Sequence, residues 1–280
     1  MNKTEDLLAS KYRKIFKNKN PNPKWAYKKK SNQSELIHCA IPFVGNNYLN
    51  SSPKILLYAS AENLTGYNGH LDNDNKALYR HRDHYESSIG KDFFPDVHIA
   101  PITDGSLLVV TLYCLKQIGF SKALNSPRDL IELISFANFC KYSIYSKKNK
   151  DYANNINKLS ESLEYVKADI EILLPDILIL PKSIYEHNKI KTELLSYKKN
   201  MQIIPIYQIN ASVINRTIKK KYKKKRGLDG DVRKWYSQLG KNSITGKTKE
   251  NFLSVFTYID SLFINQKKSN NCFDLALPLA

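Results

Sequence analysis

Short apolar runs alternating with stretches of helical periodicity set the expected architecture. Residues 55–59, Ile-Leu-Leu-Tyr-Ala, are too few for an independent helix and follow closely on Pro53. That is the pattern of a strand buried on both faces of a parallel sheet. Runs at 36–40, 97–102, 177–180 and 203–209 are the other strand candidates. Helices are expected over 106–118, 128–139, 156–173, 184–198 and 249–264. Strands separated by helices imply βαβ units, so the expected class is α/β, a three-layer α/β/α sandwich with a mainly parallel central sheet. Near the N-terminus Leu8, Tyr12, Ile15 and Phe16 recur at helical spacing after Thr4, a candidate N-cap, and predict a short amphipathic helix. Residues 17–33 are mostly Lys, Asn and Pro with Trp25 and Tyr27 interleaved, the composition of a connector that orders on binding. The expected layout is a basic arm with its helix over 1–34, one α/β domain over 35–270 and a tail over 271–280.

Composition narrows the partners. A chain of 280 residues with 42% apolar content can bury one sizeable core. Its 44 Lys and Arg against 26 Asp and Glu leave a net charge of +18, which favours a polyanion. Double-stranded DNA is the expected partner, bound by a monomer. No apolar stretch approaches the ~20 residues a bilayer span needs, and the N-terminus has no signal-like apolar region, so the expectation is a cytoplasmic protein without a membrane partner. Cys39, Cys114, Cys140 and Cys272 are scattered with no Cys-x-x-Cys pair, so they are expected as buried thiols rather than zinc ligands or disulfides. His81 and His84 have ligand-like spacing, but flanking Arg80 and Arg82 disfavour a divalent cation and no metal is expected. Neither Gly-x-Gly-x-x-Gly nor a phosphate-loop lysine is present, and no cofactor is expected.

Four segments carry candidate chemistry. They are Ala61-Glu62-Asn63-Leu64-Thr65-Gly66-Tyr67 after the 55–59 run, Ser135-Phe136-Ala137-Asn138-Phe139, Leu174-Pro175-Asp176 leading into the 177–180 run, and Asn210-Ala211-Ser212 after the 203–209 run. In open parallel sheets, ligands bind beyond the carboxyl ends of the strands. Asp104 is either the N-cap of the helix that follows or a water-activating acid; Asp176 is expected in a turn. A second signal is the tract Lys219, Lys220, Lys221, Tyr222, Lys223, Lys224, Lys225 and Arg226, followed by Trp235. Seven cations there can neutralise phosphates, while Tyr222 or Trp235 stacks or wedges into a duplex.

The order of the four segments resembles the uracil-DNA glycosylase superfamily. There a strand ends in a Gly-x-Asp/Asn-Pro or Gly-Glu-Ala-Pro-Gly turn, a later Asn reads the base, a Pro-Asp-hydrophobic strand follows and the last strand ends in His-Pro-Ser. Here Ala61 replaces the glycine, Asn63 takes the catalytic Asp or Asn position, Leu64 replaces the proline and Asn210-Ala211-Ser212 replaces His-Pro-Ser. The resemblance spans about residues 41–216 and implies a hydrolase acting on N-glycosyl bonds. Because the first and last motifs depart together, it implies a modified base such as glucosylated hydroxymethylcytosine of phage DNA, and so antiviral defence, ahead of plain uracil in DNA repair.

The chemistry makes its own demands. A base inside a duplex must be flipped into a pocket before its glycosidic bond is reached. An amide offers both donor and acceptor, so Asn138 suits a pyrimidine edge, with Tyr67 or Phe139 stacking on it. Bond cleavage puts positive charge on the sugar and negative charge on the base. Glu62 or Asn63 would position water at the sugar carbon, with Asp104 as the alternative, and Asn210 and Ser212 would contact phosphate or the leaving base. Two other readings stand beside this one. The first is a non-catalytic α/β nucleic-acid-binding protein; the second is a nuclease using Asp104, Glu62 and a divalent metal.

Overall fold

Three of the apolar runs, 55–59, 177–180 and 203–209, become strands of one sheet, and the first two are buried on both faces. The computed structural model describes residues 3–19, 27–28, 34–35, 39–61, 74–88, 105–120, 125–141, 156–197, 201–207, 230–239 and 246–268. Its strands are β1 (Tyr27–Lys28), β2 (Ser34–Glu35), β3 (Phe43–Val44), β4 (Ile55–Ala61), β5 (Ile134–Cys140), β6 (Ile177–Pro181) and β7 (Gln202–Ile206). Its α-helices are α1 (Lys3–Lys19), α2 (Asp74–Ser88), α3 (Ser106–Gln117), α4 (Pro127–Leu133), α5 (Ile156–Leu173), α6 (Lys182–Tyr185), α7 (Asn188–Tyr197), α8 (Gly230–Ser237) and α9 (Gly246–Lys268).

The central sheet runs β3-β5-β4-β6-β7, with β4 to β7 mutually parallel and β3 antiparallel on the outer edge of β5. Alternation splits each strand between two cores. Ile55, Leu57 and Ala59 join Ile134, Phe136, Ile177 and Ile179 against α3, α4, α8 and α9. Leu56 and Tyr58 join Ala137, Phe139, Leu178 and Leu180 against α1, α2, α5 and α7. The protein is therefore an α/β sandwich of three layers around a mainly parallel sheet.

Several local expectations are corrected. The helix expected over 128–139 stops at Leu133, and β5 follows with all seven residues buried. Ser126 caps α4 by accepting from the Asp129 amide, and Pro127 opens it. Ile134 then enters the sheet between β3 and β4, where both of its faces are covered. The strand expected at 36–40 is not formed at Cys39 and Ala40; the edge strand lies at Phe43–Val44, beyond Pro42. There Gly45 is required, since a Cβ would sit 2.5 Å from the carbonyl oxygens of Ile131 and Glu132. The single helix expected over 184–198 is two, α6 and α7, and β7 ends at Ile206. The strand expected at 97–102 lies outside the described residues.

The N-terminal helix belongs to the fold rather than to an arm before it. Leu8, Ala9 and Tyr12 of α1 are fully buried. Glu5, also fully buried, receives Arg82 through Nε and Nη2 at 2.9–3.2 Å and accepts the Val44 amide, which ties α1 to α2 and β3. Thr4 lies within the helix instead of capping it.

Candidate functional site

Among the described residues, the sheet parts between β4 and β6 along its carboxyl edge. The β4–β5 ladder runs on to Ala61 and Cys140, and the β6–β7 ladder runs to Pro181 and Ile206, but the β4–β6 ladder ends at Leu57 and Ile179. The connections also diverge there. From β4 the chain adds β5 on one side, by way of α2, α3 and α4, and then crosses through α5 to add β6 and, after α6 and α7, β7 on the other side. Such a switch point is where open α/β sheets form their ligand crevice.

Asn138 lies on β5, one strand away across β4 from this opening. It is the register partner of Ala59 on β4, so its nearest cross-strand neighbour is a small side chain. Alternation with Ile134 and Phe136 places it on the face that α3 and α9 cover. It is 5% exposed, and among the described residues neither Oδ1 nor Nδ2 has a hydrogen-bond partner. An unsatisfied buried amide costs about 1–3 kcal/mol, so a native chain that keeps one invites a functional explanation.

The other expected site residues divide. Phe139 follows Asn138 but projects to the opposite face, where its fully buried ring meets Tyr58 edge-on at 5.5 Å and 77°. It is a core residue, not a platform beside Asn138. Trp235 is 3% exposed and packs into the core from α8, so it does not wedge into a duplex. Glu62, Asn63, Tyr67, Asp104, Asn210, Ser212 and the tract Lys219 to Arg226 lie outside the described residues. The N-cap of α3 is Gly105, at φ 70° and without a side-chain cap, one residue after Asp104. Asp176 makes its turn by joining the starts of β4 and β6: its carboxylate accepts the Lys54 amide at 2.8 Å, and its own amide reaches the Lys54 carbonyl at 2.8 Å. His81 is buried, with Nδ1 3.1 Å from the Ile41 carbonyl oxygen.

A buried polar cluster lies behind Asn138 on the opposite face. Asp169 of α5 is fully buried and accepts from Tyr12 at 2.7 Å, Tyr58 at 2.6 Å and Lys141 Nζ at 2.7 Å. The Lys141 ammonium also stands 5.1 Å and 5.4 Å from the Tyr58 and Tyr12 ring centroids. Sequence reading missed this cluster, although one signal was present: Asp169 interrupts the apolar stripe of α5 between Val166 and Ile170. Burial raises the Asp169 pKa, and the Lys141 charge and three donors oppose that rise without cancelling it. Burial first, and the Asp169 carboxylate second, hold the Tyr12 and Tyr58 phenols well above the usual 10.0. Burial also pushes the Cys39 thiol from 9.0 to about 12.

These shifts carry an alkaline signature. The folded chain keeps protons that the unfolded chain releases from pH 9 upward, so this stability is complete below that range and lost as pH rises through the folded pKa values. The urea midpoint is expected to fall steeply above about pH 9, with the Tyr12 and Tyr58 tyrosinate absorbance appearing as the protein unfolds. Tyrosinate that forms near pH 10 without unfolding, in excess of that seen in Tyr12→Phe/Tyr58→Phe, would contradict these placements.

Among the described residues, no group of three or more His, Cys, Asp or Glu is placed to hold a metal, and no helix is long and apolar enough to cross a membrane. No family model, curated protein or solved structure matches the chain.

Proposed function

We propose that the protein is a DNA glycosylase that flips a pyrimidine, with a modified cytosine favoured over uracil, and hydrolyses its glycosidic bond. The observation that carries this reading is Asn138, a buried amide with both atoms unpartnered among the described residues, near the carboxyl end of β5 and one strand across β4 from the point where β4 and β6 part. An amide in that state matches what a flipped pyrimidine requires, a donor and an acceptor held side by side away from water. The segment that leaves the adjacent strand after Ala61 begins with Glu62 and Asn63, which supports a carboxylate and an amide near the sugar. The +18 charge supports a duplex as the ligand.

In the proposed step, water polarised by Glu62 or Asn63 attacks the sugar C1′ as the bond to the base nitrogen breaks. The bonding electron pair leaves with the base, which takes up a proton, and the sugar keeps the hydroxyl as an abasic site. Developing negative charge on the base would be met by amide or hydroxyl donors, the role assigned to Asn210 and Ser212.

The test is incubation with duplexes carrying uracil, hydroxymethylcytosine or its glucosylated form, followed by hot alkali. Strand cleavage that disappears in Asn63→Ala and Glu62→Ala is the expected result; intact strands from every duplex would overturn the proposal. Charge reversal across Lys219 to Arg226 is expected to weaken duplex binding and flatten its dependence on salt, since each lost phosphate contact reduces counterion release. Unchanged binding would remove that tract from the interface.

A further inference from the structure

Four segments remote in sequence meet at the Asp169 carboxylate: Tyr12 from α1, Tyr58 from β4, Lys141 just past β5, and Asp169 itself from α5. The Lys141 and Asp169 side chains are 1% and 0% exposed. A buried ion pair is weak evidence for stability, because the cost of stripping water from both charges offsets their attraction. Its location therefore carries the information. Tyr58 directly precedes Ala59, the register partner of Asn138. Lys141 closes the same strand end that bears Asn138, and its amide donates to Ser162 Oγ at 3.0 Å. Between them, Phe139 packs edge-on against Tyr58.

The geometry points to Lys141, Asp169 and Tyr58 as positioning residues for Asn138, an inference that rests on the proposed glycosylase reading. They tie the last residues of β5 and β4 to α5 from behind, which fixes the direction in which the Asn138 amide leaves the sheet. An amide that reads a base edge has to be held to a fraction of an ångström, and a displacement of ~1 Å can cost on the order of 10²-fold in rate. The second buried ion pair, Glu5 with Arg82, serves as a control. It grips the Val44 end of β3, whose register partner is Ser135, at the start of β5.

The experiment uses the full chain labelled with 15N-asparagine, in which the Asn138 side-chain amide resonance is assigned by its loss in Asn138→Asp. The double variant Lys141→Met/Asp169→Leu removes both charges together, and Tyr58→Phe removes one hydroxyl with little change of shape. The Asn138 resonance is expected to shift and broaden in both, and to stay in place in Glu5→Gln/Arg82→Met. Identical position and linewidth in all of them would overturn the positioning role. Should the double variant fail to fold, Tyr58→Phe carries the test alone. On a duplex that the wild type cleaves, kcat of the double variant is expected to fall on the order of 10²-fold with KM nearly unchanged; equal kcat would also overturn the inference. A wild type that releases no base from any duplex counts against the glycosylase reading only, and the resonance still decides the positioning role.

Discussion

Asn138→Leu is expected to make the protein more stable and inactive at once. Leucine has the same number and branching of side-chain heavy atoms as asparagine and removes two polar atoms that have no hydrogen-bond partner among the described residues. Removing a buried, unsatisfied amide should return about 1–3 kcal/mol, seen as a higher urea midpoint at unchanged slope. Base release should fall on the order of 10²-fold or more, because a pocket without its edge-reading donor and acceptor no longer holds the flipped base in register. Opposite signs for stability and activity are the mark of a residue kept for function. A fall in stability in Asn138→Leu would mean that the amide is satisfied in the folded protein and serves the core.

Lys141→Met alone is expected to cost about 3–5 kcal/mol, whereas Lys141→Met/Asp169→Leu combined with Tyr12→Phe and Tyr58→Phe, which leaves no polar group behind, should be close to neutral. The single change strands a fully buried carboxylate with only the Tyr12 and Tyr58 hydroxyls to face it. The combined change replaces the pair by apolar side chains of similar size and removes the two hydroxyls that would otherwise lose their acceptor. The pH dependence has a definite sign. Loss of the Lys141 charge, the largest of the influences that lower the Asp169 pKa, lets burial raise it further. An acid whose folded pKa is raised contributes stability below its unfolded value, and that stability is lost as pH rises through the folded value. The deficit of Lys141→Met should therefore be smallest near pH 4 and grow towards neutrality, as read by urea unfolding across that range. A deficit independent of pH would show that Asp169 does not ionise in the variant.

The strands flanked by turn residues were legible because their burial on both faces leaves a continuous apolar run, as in Ile55–Ala61 and Ile177–Pro181. The same property hid β5. Leu130, Ile131 and Ile134 also satisfy helical spacing, and nothing local marks the change of period at Ile134; its place between β3 and β4 is a long-range fact. Edge strand β3 is two residues long and has no periodicity to read. Trp235 looked available for stacking beside Arg233 and Lys234, yet Val232, Trp235, Tyr236 and Leu239 share one helical stripe that faces the core. The helix at the N-terminus was legible from Leu8, Tyr12 and Ile15, but its docking depends on Glu5 meeting Arg82 and Tyr12 meeting Asp169, pairings 77 and 157 residues apart.

For the candidate site, residue type and segment order bring Asn138 and Phe139 forward together, and only the formation of β5 shows that the two project to opposite faces, because helical spacing over 128–139 does not mark the change of period. The Asp169 cluster stayed hidden for a related reason. A lysine, an aspartate and two tyrosines drawn from four segments show no spacing that would join them.

The central claim, that the Asn138 amide meets a nucleobase, is tested most directly by following its side-chain resonance in the Asn63→Ala protein. Duplexes carrying uracil, hydroxymethylcytosine, glucosylated hydroxymethylcytosine or only ordinary bases are added in turn. A saturable shift of the Asn138 amide with one of the base-bearing duplexes, absent with the ordinary duplex, is the expected result. An Asn138 resonance that stays fixed with every duplex while the DNA binds would contradict it.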